Sequence, residues 1–398
     1  MPRGSGPQGV ARLRVNPHRT AMVAQSDYEP SALERSIRRA IDLVEFDLSS
    51  VRGKHVLLKP NMLAAYSPAM AVTTHPEFVA AAGRIFAGAG AEVWVGDSPN
   101  GVQSIDSVWR TTGIRETCAR EGLIEKPFES AGSIEKGGFL ISRVAIEADF
   151  IINLPKFKTH SLTVMTLAVK NMFGCICGIQ KSAFHQRHPG AYDFSRTCVQ
   201  IAQEMKPALS IVDGVIAMEG NGPSGGQVKK LGVIAAGSNM YALDWALCQL
   251  IGLAPTELDT TRAAIELGLW RESDDIEIVG DPMAKLRPES FLLPATYRTG
   301  ARNWRLSKFV TMLILSMMKA QPEIAAKRCI RCGMCVRSCP VGAIGWKDEA
   351  QAPIICKAAC ISCYCCHEIC PQRAIDIKRN LPLRIWQWMS ERHLRRHG

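Results

Sequence analysis

Short apolar runs alternate with amphipathic stretches over most of the chain. Leu33, Ile37, Ala40, Ile41 and Val44 recur at three- and four-residue spacing, which predicts a helix, with Ser31 and Glu34 as a capping box at its start. The run Val56-Leu57-Leu58 ends in Lys59-Pro60-Asn61. Pro76 to Ala89 predicts a second helix with proline in its first turn, and the run over 91–95 ends in Gly96-Asp97-Ser98. Further runs cover 148–152, 209–212, 231–235 and 276–279. Brief apolar runs closed by polar turn residues and separated by helical stretches predict buried parallel strands. The expected fold class is therefore α/β, an open and mostly parallel sheet. Ligands of such sheets bind beyond the carboxyl ends of the strands. Polar groups collect there: Lys59 and Asn61, Asp97, Lys156, Lys158 and His160, and Asp213.

Residues 153–188 add Lys170, Asn171, Lys181, His185 and His188, with no acid between Asp149 and Asp193. A basic cluster at the end of a buried strand is costly unless an anion balances it. The expectation is a pocket for a small carboxylate or phosphate on a folded turn, with His160 or His185 as acid or base. Cys175-x-Cys177 and His185-x2-His188 match no standard zinc spacing. Residues 220–225 fit G-x-G-x-x-G but lack the strand–turn–helix context of a dinucleotide site. Asp213 and Glu219 flank that loop, placed to orient lysines or handle protons.

A second kind of signal follows. Cys329, Cys332, Cys335 and Cys339-Pro340 form one C-x2-C-x2-C-x3-C-P run; Cys360, Cys363, Cys366 and Cys370-Pro371 form another. This is the ligand run of two-cluster ferredoxins, in which the fourth cysteine serves the other cluster. It predicts two [4Fe–4S] clusters in a small C-terminal α+β ferredoxin-like domain. One is held by Cys329, Cys332, Cys335 and Cys370, the other by Cys360, Cys363, Cys366 and Cys339. Cys356 and Cys365 are extra to the runs, and Cys365 adjoins a ligand.

Of 15 cysteines among 398 residues, ten lie between 329 and 370, a usage that fits a reducing, cytoplasmic setting. The net charge of +11 sits on the flanks, and residues 27–297 stand at −5. An acidic body argues against a nucleic-acid partner. Five segments follow: a disordered basic extension over 1–21, the α/β domain over 22–300, an apolar and basic linker helix over 301–326, the ferredoxin-type domain over 327–379, and a basic amphipathic tail over 380–398. Trp304 and residues 381–389 make these flanks candidates for peripheral contact with the inner face of a membrane.

Lys59-Pro60-Asn61, Thr74-His75-Pro76, Gly96-Asp97-Ser98, residues 153–160 and 167–174, Asp213-Gly214 and residues 217–223 resemble, in order, the "domain of unknown function 362" family. Many members are similar in carrying a two-cluster ferredoxin domain behind the α/β domain. The resemblance implies a redox iron–sulfur protein without supplying a reaction. The leading expectation is a reductase or electron-input subunit that takes electrons from a redox partner protein. It would pass them to a small anionic substrate held by Lys59, Asn61, Asp97, Lys156, Lys158, Lys170, Asn171, Lys181, Asp213 and Glu219. Two alternatives stand beside it: a pure electron carrier docked on a larger complex, and a non-redox enzyme with structural clusters.

Overall fold

The computed structural model describes residues 18–178, 180–297 and 320–378. Most of the expected N-terminal extension, most of the linker helix and the whole C-terminal tail lie outside the described residues. Two edges differ from expectation. A strand already begins at Arg19, and residues 321–324 form a strand where the linker helix was expected to continue.

The strands of the large part are β1 (Arg19–Ala24), β2 (His55–Pro60), β3 (Glu92–Val95), β4 (Ile124–Glu125), a separate hairpin β5 (Ser133–Lys136) and β6 (Phe139–Ser142), β7 (Phe150–Leu154), β8 (Lys156–His160), β9 (Val164–Thr166), β10 (Leu209–Glu219), β11 (Gln227–Gly237) and β12 (Glu277–Gly280). Ten of them form one sheet in the order β12-β1-β11-β10-β7-β2-β3-β4, with β8 against β10 and β9 against β8. The pairs β2–β3, β2–β7, β3–β4, β7–β10 and β1–β12 are parallel, whereas β10–β11 and β1–β11 are antiparallel. The sheet is mixed and mostly parallel.

Side chains one residue apart on a strand face opposite ways, and the core shows it. Val56 and Leu58 pack with the helices Pro30–Leu43 and Pro76–Gly88, while Leu57 packs on the other face with Ala191–Met205 and Met240–Leu250. Helices therefore cover both faces of the sheet. The first helix has the apolar face expected from its spacing, but its cap is Glu29, whose carboxylate accepts from the backbone N–H of Ser31 and Ala32; Ser31 and Glu34 do not form the capping box.

Two expectations about the strands change. The run at 209–212 extends through Glu219, so Asp213 sits inside a strand. Residues 156–160 are a fully buried strand rather than a turn, because β8 slots between β10 and β9. Among the described residues no helix is long and apolar enough to cross a membrane.

The C-terminal part has β13 (Gln321–Ile324), β14 (Ile344–Gly345), β15 (Ile354–Ile355) and β16 (Ile375–Lys378), paired β13–β16 and β14–β15. Two five-residue helices, Met334–Ser338 and Cys365–Ile369, complete an α+β unit. It docks on the loop between β10 and β11. The carbonyl oxygen of Asn221 lies 2.9 Å from His367 Nε2, and Ser224 Oγ donates to the His367 carbonyl oxygen at 3.2 Å. Gly225 is needed there, since a Cβ would fall 2.3 Å from the His367 ring. The G-x-G-x-x-G loop is thus a docking surface, and no solvent-exposed turn.

Candidate functional site

β2 and β7 end side by side, and their last residues begin the site. Lys59 points to the same face as Leu57 and is wholly buried; its Nζ lies 2.7 Å from Asp97, just past β3. Gly174 allows this pair to close, because a Cβ there would sit 2.3 Å from Asp97 Oδ1 and 2.5 Å from Lys59 Nζ. Lys156 Nζ donates to Asp213, buried in the sheet, at 2.8 Å and to the hydroxyl of half-buried Tyr28 at 2.8 Å. The anions that balance these two lysines are therefore the protein's own carboxylates.

Lys158 is balanced differently. Its Nζ donates to Asn61 Oδ1 at 2.8 Å and to the Val72 carbonyl, and burial, then the charge on Lys170, pushes it down to about 7. Asn61 Nδ2 donates to Asn171 Oδ1 at 2.9 Å, and Asn171 Nδ2 donates to Asn153 Oδ1 at 2.8 Å. This amide chain fixes the short helix Ala168–Asn171. Asp244 fixes its other end by accepting from Ala168 N at 2.8 Å and Val169 N at 3.1 Å.

Lys170 projects from that helix into a cavity of about 100 Å³ between the two parts of the chain. Asn61, Asp97, Asn171, Lys181 and His185 line it from the sheet side; Ser338, Cys365 and Glu368 line it from the C-terminal unit. The volume admits a few waters or a molecule of a few heavy atoms, far less than the ~300–1,000 Å³ of drug-sized sites. Among the described residues Lys170 meets no carboxylate or carbonyl partner; its Nζ lies 5.9 and 5.7 Å from the ring centres of Phe173 and Phe194. Lys181 donates to the carbonyls of Ser98 and Pro99, and burial brings it down to about 8. His185 is 7% exposed, stacks on Phe194 at 4.2 Å, and has no hydrogen-bond partner at Nδ1 among the described residues. Burial pushes its pKa down to about 4, so its ring is neutral near pH 7. Burial alone would raise Glu368, but His160 and Lys170 hold it at about 2.

Six of the residues singled out from sequence therefore meet at the cavity: Asn61, Asp97, Lys170, Asn171, Lys181 and His185. Lys59, Lys156, Lys158, His160, Asp213 and Glu219 do not line it. His160 is buried behind it, with Nδ1 accepting from Leu162 N and Thr163 N, Nε2 3.2 Å from Glu368, and a pKa pushed by burial to about 4. Glu219 accepts from Leu292 N at 3.0 Å and holds a loop. Glu368, Ser338 and Cys365 are among the lining residues that sequence reasoning left out, together with Asn100, Thr166 and Ser182. Only Cys365 carried a signal, as a cysteine extra to its run.

The C-terminal unit repeats itself at an offset that superposes its two cysteine runs. Left-handed backbone recurs at Arg331 and Ser362, at Gly333 and Tyr364, and at Gly342 and Arg373. The backbone N–H of Arg331 donates to Cys329 Sγ, and the N–H groups of Ala343 and Ala374 donate to Cys339 and Cys370 at 3.2 Å. Backbone donors aimed at sulfur suit thiolates that ligate an iron–sulfur cube. Burial raises Cys335 to about 11, and Cys370, Cys332 and Cys329 act on it next; Cys360 is raised by burial and then by Cys363 and Cys339. The thiols of the two runs therefore act on one another, Cys370 on Cys335 and Cys339 on Cys360. Among the described residues no three or more His, Cys, Asp or Glu side chains converge on a single metal ion. A cube spreads its ligands over separate corners, so the cysteines present fit it.

Residues 56–249 match the family described as Domain of unknown function (DUF362), and residues 322–345 match the 4Fe-4S binding domain. The thylakoid-associated protein sll1697 of Synechocystis sp. is 33% identical over 255 residues, which are 63% of this chain and 79% of that protein. The lactate racemase apoprotein from Thermoanaerobacterium thermosaccharolyticum aligns with 58% of this chain and 56% of its own, at 15% identity and a TM-score of 0.37, too distant to carry an argument. The C-terminal unit carries a 4Fe–4S binding domain, which with its many cysteines supports at least one [4Fe–4S] cluster. The chain belongs to the DUF362 family, in a form that carries a 4Fe–4S binding domain behind the α/β sheet.

Proposed function

We propose that the chain is a reductase in which two [4Fe–4S] clusters supply single electrons to a small anionic substrate held in the cavity between its two parts. Cys329, Cys332, Cys335 and Cys370 hold one cluster; Cys360, Cys363, Cys366 and Cys339 hold the other. The observation that carries this reading is the cavity wall. Ser338 adjoins Cys339 and Cys365 adjoins Cys366, both in the second set, and they stand across the cavity from Lys170 and Lys181.

Lys170, which shares the cavity with the Glu368 carboxylate and makes no hydrogen bond to it, is the cation that binds the anion, and the amides of Asn61 and Asn171 orient it. His185 offers its unpartnered Nδ1 as a neutral hydrogen-bonding group. Lys181, at about 8, is the better proton donor near neutral pH, whereas His160 and His185, at about 4, carry no proton to give as imidazolium. Lys59, Lys156 and Lys158 brace the floor without touching the substrate.

The test is anaerobic reconstitution with iron and sulfide counting, joined to native mass spectrometry of retained anions. We expect about eight irons per chain. Lys170→Met should keep the low-temperature EPR signal and lose the retained anion. About four irons would reject the second cluster, and an unchanged anion content would reject the pocket in favour of a pure electron carrier. The tryptophan-bearing basic flanks, together with the thylakoid association that the Synechocystis relative's name carries, also support a place at a membrane face. Co-sedimentation with anionic vesicles checks this, and a chain that stays in the supernatant at low salt rejects it.

A further inference from the structure

The two cysteine runs are not equally covered. In the second run Cys363 and Cys366 are 8% and 6% exposed, behind the cavity wall. In the first run Cys332 is exposed, and Ile330 beside it is 58% exposed. Between Glu323 and Asp348 there is no acid, while Lys327, Arg328, Arg331, Arg337 and Lys347 are all exposed. Three of these arginines are held in place: Arg328 on Asp376, Arg331 on the Ala350 carbonyl and Arg337 on the Cys332 carbonyl. Trp346 packs near Gly333, so the lip of the first run has an apolar centre of Ile330 and Trp346 with a basic rim. Asp348 and Glu349 bound the patch on one side, and the Asp348 carboxylate is engaged by Ala350 N and Gln351. An apolar centre inside a charged rim is the anatomy of a transient docking site.

We infer that this face is the electron-entry surface, and that it receives an acidic one-electron carrier protein of the low-potential iron–sulfur or flavin class. The chain's own flanks are poor occupants. Residues 298–319 carry five Lys/Arg and no acid, and residues 379–398 carry five Lys/Arg and one acid, so both are repelled by a basic face. A negatively charged carrier is attracted instead, and attraction of this kind acts mainly on the encounter rate. In each encounter the carrier is oxidised by one electron and the first cluster is reduced by one, with no atom transferred. Entry at the exposed run and exit at the cavity-facing run give the chain a direction. The entry surface rests on the 4Fe–4S domain alone and stands whether or not the cavity binds a substrate, whereas the exit end rests on the proposed second cluster.

The test uses the full reconstituted chain and a reduced acidic bacterial ferredoxin as probe, in stopped flow, with binding followed in parallel by biolayer interferometry. Raising ionic strength from about 0.02 to about 0.3 M should slow reduction and weaken binding at least tenfold. Lys327→Glu with Lys347→Glu should do the same at low salt, while reduction by dithionite and the EPR spectrum match the wild type. A rate and an affinity indifferent to both salt and charge reversal would overturn the inference. So would faster reduction by a basic carrier of similar potential.

Discussion

Lys59 and Asp97 meet 2.7 Å apart with almost no solvent on either. Asp97 also accepts from Met62 N at 2.7 Å, so losing the lysine leaves a buried carboxylate without its counter-charge. Lys59→Met should therefore cost about 3–5 kcal/mol, and adding Asp97→Leu should recover part of it. Urea unfolding of both variants measures the difference. A second buried carboxyl makes a prediction about pH. Burial drives Asp244 to about 7 against two backbone donors that favour its charged form. A carboxyl raised in the fold binds its proton more tightly there than in the unfolded chain. Its contribution to stability is full below about pH 4 and is lost as pH rises through about 7. Asp244→Asn should flatten that part of the melting profile, read as Tm against pH for both chains. At this scale much of the site was legible: Asn61, Asp97, Lys170, Asn171, Lys181 and His185 were all singled out by residue type and position. What could not be read was which lysines are already neutralised. That depends on carboxylates at 38 and 57 residues' distance in the chain, brought close only by parallel strands.

The elements were legible where burial and periodicity agree. β2, β3, β7 and the helix Pro30–Leu43 follow their apolar spacing directly. β8 did not, because Lys156, Lys158 and His160 put a cationic or imidazole side chain at every second position, where a fully buried strand is not expected. The strand holds because Asp213, Asn61 and the Val72 carbonyl take up its cations. The loop between β10 and β11 lacks the context of a dinucleotide site, and what its spacing could not show is that Gly225 serves contact with a distant segment. Gly225→Ala should push the His367 ring away and loosen the C-terminal unit. Limited proteolysis of the anaerobic protein should then separate the C-terminal unit from the sheet faster, with iron content retained. Cutting at the wild-type rate would show that this loop does not hold the unit in place.

At the scale of the molecule, one short helix belongs to two structures at once. Cys365–Ile369 is part of the cysteine-rich unit, and it is also the wall that closes the cavity over Lys170 and His185. Tyr66 reinforces the arrangement from the sheet side by donating to the Cys370 carbonyl at 2.9 Å. No periodicity in the chain could announce this, since it arises where two separately legible parts touch. It also bears on how such a chain can be inherited. Neither half owns the cavity, so a gene split between residues 297 and 320 would yield a sheet without a roof and a roof without a floor. The two parts are thereby bound to a single reading frame by a shared cavity of about 100 Å³.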